Sequence, residues 1–310
     1  MQYETSVFDT SLADLSKGEW VQKIAETAQK HGRFEVLGKS HFSAFLKERP
    51  VLLVTFQTVD EIRKQSPSAH PFGWELVKSN GWSNLSIICE GKTWFRDPAI
   101  YGFFDRLIDD GFFDDFEKVV FYGAGSCGYA AAAFSVAAPG STVVAVQPQA
   151  TLDPRITEWD ERFVKMRRMD FTSRYGYAPD MLDAADQAFV LYDPSIALDA
   201  SHAAMFTRSN VKKLRLPNMG YRLHAEMVKM EILTPLIKAA ADDNLTTLKF
   251  AQLYRARREN RAYLYQLMKK LDSDNRDPLT IMLCEHVTGR FRASRFASKL
   301  AKLKPQSSQD

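Results

Sequence analysis

Apolar residues fall into two rhythms along the chain. Short, nearly unbroken apolar runs recur at 51–56 (VLLVTF), 85–89, 119–122, 141–146 and 188–192, and a more polar strand candidate follows at 211–216. Runs of that length suit strands buried on both faces. Between them the spacing turns helical. Trp20, Val21, Ile24, Ala25 and Ala28 make one face over 19–30, and further helices are predicted over 100–110, 129–138, 198–206 and 225–232. Gly111 closes the second of these and Pro139-Gly140 the third. Two short strands, 34–37 and 42–45, flank Gly38. Residues 57–72 read as a polar loop, 73–79 as one or two helical turns, and 1–18 as irregular and exposed.

Strand and helix in alternation predict an α/β fold with a doubly wound, mostly parallel sheet. After residue 232 the pattern is helical only, with Leu264, Leu267, Met268 and Leu271 on one stripe. The expected organisation is a core over 1–232, a C-terminal helical extension over 233–304 and a disordered tail over 305–310. Within the core, the charged and aromatic stretch 155–187 reads as a cap insertion, with a helix near 180–187.

Composition narrows the classes. With 310 residues, 45% of them hydrophobic, the chain can bury one large core. A net charge of +3 provides no global field toward nucleic acid, and none is expected as a partner. Three cysteines without a CxxC pair point to a reducing compartment, with neither disulfides nor a zinc cluster. No apolar run approaches the roughly 18 residues of a membrane span. The first twenty residues lack the basic start and apolar run of a secretion signal, so a cytoplasmic location is expected. RARRENR and RFRASRFASKLAKLK are basic stripes, read as solvated helix faces or, alternatively, as a surface for an anionic partner.

The candidate chemistry lies at one rim. Ligands of doubly wound sheets bind at the carboxyl ends of the strands. That rim collects Gln57, Ser126, Gln147, Asp193 and His224. Ser126 stands in a glycine-rich strand-to-helix turn, Gly123-Ala124-Gly125-Ser126-Cys127-Gly128. A serine hydroxyl needs a base to take its proton and a carboxylate to orient that base. The chain supplies both in order: Asp193 after one strand and His224 after the next. Asp199 is the alternative acid, with helix N-capping as its other reading. The backbone N–H of Cys127 and one near Gln57 would form the oxyanion hole. Tyr129, Gln147, Trp159 and His70 are candidates for substrate contact, whereas His202 reads as structural. Gly123, Gly125 and Gly128 also fit G-x-G-x-x-G, which leaves nucleotide binding open. No metal or cofactor is called for.

Ala124-Gly125-Ser126-Cys127-Gly128, followed by VLYDP and the late histidine, resembles the nucleophile elbow and triad order of α/β-hydrolases. The resemblance covers about 51–232 and is most specific around YGAGSCGYAAAA. It is similar to a bacterial branch with a YGxSxGGYAA-like elbow, often found with glycan or polysaccharide machinery. It implies a serine hydrolase or acyltransferase acting on an ester, of a small molecule or a glycan. A non-catalytic scaffold of the same fold, binding glycan or protein, is the alternative. Alphaproteobacterial relatives of this kind often carry the name phosphoadenosine phosphosulfate reductase. Such reductases resemble PP-loop proteins with an SGGKDS-like start and an ECGLH-like tail, and neither is present: Cys284 stands in LCEHV.

Overall fold

A computed structural model describes Phe8, residues 10–48 and residues 50–304; the expected tail over 305–310 lies outside them. The strands are β1 Gly32–Leu37, β2 His41–Leu46, β3 Val51–Thr58, β4 Ser83–Cys89, β5 Lys118–Ala124, β6 Thr142–Val146, β7 Gln187–Tyr192 and β8 Val211–Arg215. They form one eight-stranded sheet in the order β1-β2-β4-β3-β5-β6-β7-β8. β2 runs antiparallel to both of its neighbours, and every other pairing is parallel.

The central strands are apolar because helices cover both faces. Their few polar side chains satisfy one another: Thr55 donates to Ser86 at 3.1 Å and Asn84 to the Leu53 carbonyl at 2.8 Å. On one face Phe56, Phe104 and Phe134 stack between the sheet, α4 (Pro98–Asp109) and α5 (Ser126–Phe134). On the other, Tyr122, Val144 and Leu191 join Leu236 and Ile237 of α8 (Leu233–Ala241) in one cluster. That cluster continues to Phe250 of α9 (Thr247–Leu253) and to Tyr254. Around the sheet edge, α1 (Lys17–His31) buries Trp20 and Ile24.

Several details differ from the sequence expectation. The stretch 57–72 is not a loop. β3 runs on to Thr58 and passes directly into α2 (Val59–Gln65), because Thr58 and Glu61 form a reciprocal capping box. Helix α3 (Phe72–Asn80) follows. Phe8 and Leu12 are buried, not exposed; Phe8 packs edge-on against Trp74. The stretch 155–187 holds only short helical turns, the last ending at Ala184, with no longer helix near 180–187. It is pinned to the body by Arg96, which donates to the carbonyls of Asp170 and Arg174 at 2.8 and 2.7 Å and lies over the Phe171 ring.

Further along lie α6 (Ala197–Met205) and α7 (Leu223–Lys229). The last helices, α10 (Arg261–Ser273), α11 (Asp277–Thr288) and α12 (Ser294–Leu303), close a separate small cluster around Leu264, Met268, Cys284, Val287 and Phe296. Among the described residues no helix is long and apolar enough to cross a membrane.

Candidate functional site

The turn between β5 and α5 is as tight as its glycines suggest. A Cβ on Gly123 would come within 2.1 Å of the Cys127 carbonyl oxygen, and one on Gly128 within 3.1 Å of those of Gly123 and Val146. These two glycines let the helix close on the strand. The apex between them is Gly125, at φ 58 and ψ −125, where an L side chain is strained. Its N–H donates to the Val146 carbonyl at 2.8 Å and its carbonyl accepts from Tyr129 at 2.9 Å.

Ser126 is therefore not the strained residue of the turn. It is the half-buried first residue of α5, one position past the apex. The register that puts a serine at the apex takes Ala124 as the first small residue; the backbone takes Gly123 instead. In the backbone's register the apex carries no side chain.

Among the described residues no hydrogen bond of the expected partners reaches Ser126. Among the described residues His224 makes one side-chain hydrogen bond, between Nε2 and the Tyr122 hydroxyl at 2.5 Å. Burial pulls the imidazole down to about 4, and burial, followed by the nearby Glu61, pushes the Tyr122 phenol well above its ordinary value. A neutral imidazole and a protonated phenol thus share this bond, and Nε2, the nitrogen that would face a nucleophile, is engaged by Tyr122.

Asp193 is fully buried and turned away to other work. It accepts from Ser195 N and from Asn218 N at 2.8 and 3.2 Å, and from Gly220 N at 2.6 Å. It thereby ties the loop after β7 to the turn after β8, and none of its hydrogen bonds reaches His224. Asp199, the alternative acid, accepts from Gln147 Nε2 at 2.7 Å and from Arg162 at 2.6 Å.

Those contacts belong to a buried polar chain that the sequence reading missed. Arg162 also pairs with Asp160, which accepts from His202 Nε2 at 2.9 Å; His202 Nδ1 in turn accepts from Ala150 N at 3.2 Å. Burial works to raise the Asp160 carboxyl, but hydrogen bonds from His202 and Arg162 hold it well below the usual carboxylate range. Trp159 packs over His202, with ring centroids 4.7 Å apart. Both nitrogens of His202 are engaged, which agrees with the structural role read from the sequence.

Of the remaining candidates, Gln57 and His70 line one cavity with His224, while Cys127 and Tyr129 do not. Gln57 lies inside β3, in register with Ile88, and its side-chain carbonyl accepts from Phe72 N at 3.0 Å. The Cys127 thiol is buried beside Glu61, and burial, followed by that carboxylate, pushes it well above its ordinary value. Such a thiol is no nucleophile. Tyr129 is buried and donates to the Tyr175 carbonyl, which fixes the 155–187 stretch in place.

A cavity of about 530 Å³ opens at the carboxyl ends of β3 and β5. Phe56, Phe72, Trp74 and Tyr122 supply aromatic surface, and His70 and His224 also line it; Ser126 does not. Its carboxylates, Glu61, Glu75 and Glu231, outnumber its one ammonium, Lys78.

The strand order, with β2 alone reversed, is that of an α/β-hydrolase-like sheet. No family description and no curated protein matches the sequence. Among solved structures, similar folds include a capsule O-acetyltransferase of Neisseria meningitidis serogroup A (12% identity, 64% of this chain and 91% of that one, TM-score 0.43). Another is an esterase from the archaeon Pyrobaculum calidifontis (13% identity, 76% and 94%, TM-score 0.43). A third is Est1E from Butyrivibrio proteoclasticus (11% identity, 66% and 97%, TM-score 0.41).

Proposed function

We propose that this chain keeps an α/β-hydrolase-like sheet as a non-catalytic binding protein for a small, uncharged ligand such as a sugar unit. The observation that carries the reading is Gly125 at the apex of the elbow. Two facts support it: His224 Nε2 is engaged by Tyr122, and Asp193 holds the loop after β8. Aromatic walls suit the faces of a sugar ring, and a neutral imidazole and phenol can exchange hydrogen bonds with its hydroxyls. The surplus of carboxylates in the cavity disfavours an anionic ligand, including a sulfonucleotide.

The ester-acting alternative places Ser126 as nucleophile, His224 as base and Asp193 as orienter. It is favoured by one observation, that Ser126 is only partly buried and opens a helix whose first N–H groups have no side-chain cap. A fluorophosphonate probe separates the two. The binding reading expects native protein to be labelled no more than Ser126→Ala, and neutral saccharides to give ligand-observed NMR signals that weaken in Trp74→Ala. Labelling that maps to Ser126 and vanishes in His224→Gln would install the enzyme in its place.

A further inference from the structure

We infer a second binding site, for a phosphate-type oxyanion, in the three helices at the C-terminus. A cavity of about 430 Å³ lies between α10 and α12. Arg261, Arg292 and Arg295 line it, together with the rings of Tyr265 and Phe291, and no carboxylate does. Elsewhere in this helical unit Arg290 pairs with Glu259, Lys299 with Asp272, Lys304 with Glu285 and Lys270 with Asp274, while Lys269, Arg276 and Lys302, which do not line the cavity, make no ion pair among the described residues. The three arginines at the cavity make no ion pair among the described residues.

Two of them are held by aromatic faces instead. The Arg261 guanidinium lies 5.7 Å from the Phe291 ring centre, and that of Arg295 lies 4.9 Å from the Tyr265 ring centre. Stacking orients a guanidinium without consuming its N–H donors. Helix α12 begins at the same place. Its N-cap is Ala293, with no side-chain acceptor for the first N–H groups, and Ser294 lines the cavity. Forked donors and a positive helix end around one space suit a phosphate or sulfate group, with the rings beside it suiting an apolar or planar body. This site is remote from the β5 turn in sequence and independent of the function proposed for the sheet.

The test is isothermal titration of the full chain with inorganic pyrophosphate, beside flotation with phosphatidic acid vesicles. Saturable pyrophosphate binding is expected, weakened about tenfold or more in Arg292→Ala and in Arg261→Ala. Lys270→Ala, which removes a cation paired with Asp274 outside the cavity, is expected to leave it unchanged. Arg295→Lys keeps the charge but loses the fork and is expected to bind more weakly than the native chain. Arginine-dependent binding to both probes identifies a soluble phosphate ligand, and to vesicles alone a lipid headgroup; either supports the site. Binding to neither, or binding that all four variants share equally with the native protein, overturns it.

Discussion

Tyr122 and His224 form a pair in which protonation has a definite cost. The imidazole is buried, and its Nε2 shares a hydrogen bond with a phenol that is itself held protonated. Charging the ring would place a cation where burial disfavours it. In the unfolded chain His224 titrates near 6.5, and in the folded chain burial brings it to about 4. Between those values the unfolded state binds more protons, so stability falls as the pH is lowered through 6.5 toward 4. The full difference is worth at most about 3 kcal/mol. His41 and His70 are also lowered, chiefly by burial, and add in the same direction. Urea midpoints at pH 7.5 and pH 5 should show the loss, and His224→Gln should flatten it; an equal drop in that variant would assign the effect elsewhere. The residue scale is also where sequence reading slipped. Ala124-Gly125-Ser126-Cys127-Gly128 and Gly123-Ala124-Gly125-Ser126-Cys127 are the same pattern one residue apart, and both surround the apex with small side chains. Composition cannot choose between them. The choice is made by which peptide must approach the Cys127 carbonyl, and Gly123 is the residue whose Cβ could not fit there.

The elements were largely legible, because strands buried on both faces write themselves as apolar runs. β3 to β7 lie where the runs fall, whereas the edge strand β8 (VKKLR) exposes Lys212, Lys213 and Arg215 and carries no such run. What composition concealed was the use of polar side chains to join elements. Thr58 and Glu61 look like loop residues until their reciprocal bonds turn them into a helix start. Asp193 looks like a triad acid because it follows the right strand. Its oxygens instead hold the backbone of Asn218 and Gly220, which sets where the chain turns after β8 and hence where α7 and His224 begin. Asp193→Ala would leave those part-buried N–H groups without their acceptor, at a cost of about 1–3 kcal/mol. Urea denaturation checks the figure. A change within about 0.5 kcal/mol, typical of a substitution away from structural contacts, would return Asp193 to the role of a free active-site carboxylate.

At the scale of the molecule, the question is where the sheet's own core ends. A boundary at residue 232 follows from the loss of strand runs beyond that point. The packing extends further: Leu233, Leu236, Ile237, Leu245, Phe250 and Tyr254 all join the cluster that covers Val120, Val144 and Phe189. Helical residues on the inner face of α8 are thus as much a part of the sheet's hydrophobic layer as the strands. Fully burying such a side chain is worth about 1.5–3 kcal/mol, so the six together contribute roughly 10 kcal/mol, comparable to the total of about 5–15 kcal/mol for a folded domain. The helices from Arg261 onward bury their apolar stripe mainly against one another. They touch the body through contacts such as Asn260 Nδ2 to Glu226 Oε2 at 2.9 Å, just before α10. Two truncations follow from this difference. A chain ending at residue 260 should retain a cooperative thermal transition and native-like near-ultraviolet circular dichroism, with the oxyanion site removed. A chain ending at residue 232 should expose the face of β5 and β6 and collapse without a sharp transition. If the shorter chain melted cooperatively, α8 and α9 would be an accessory layer, and the core would close without them.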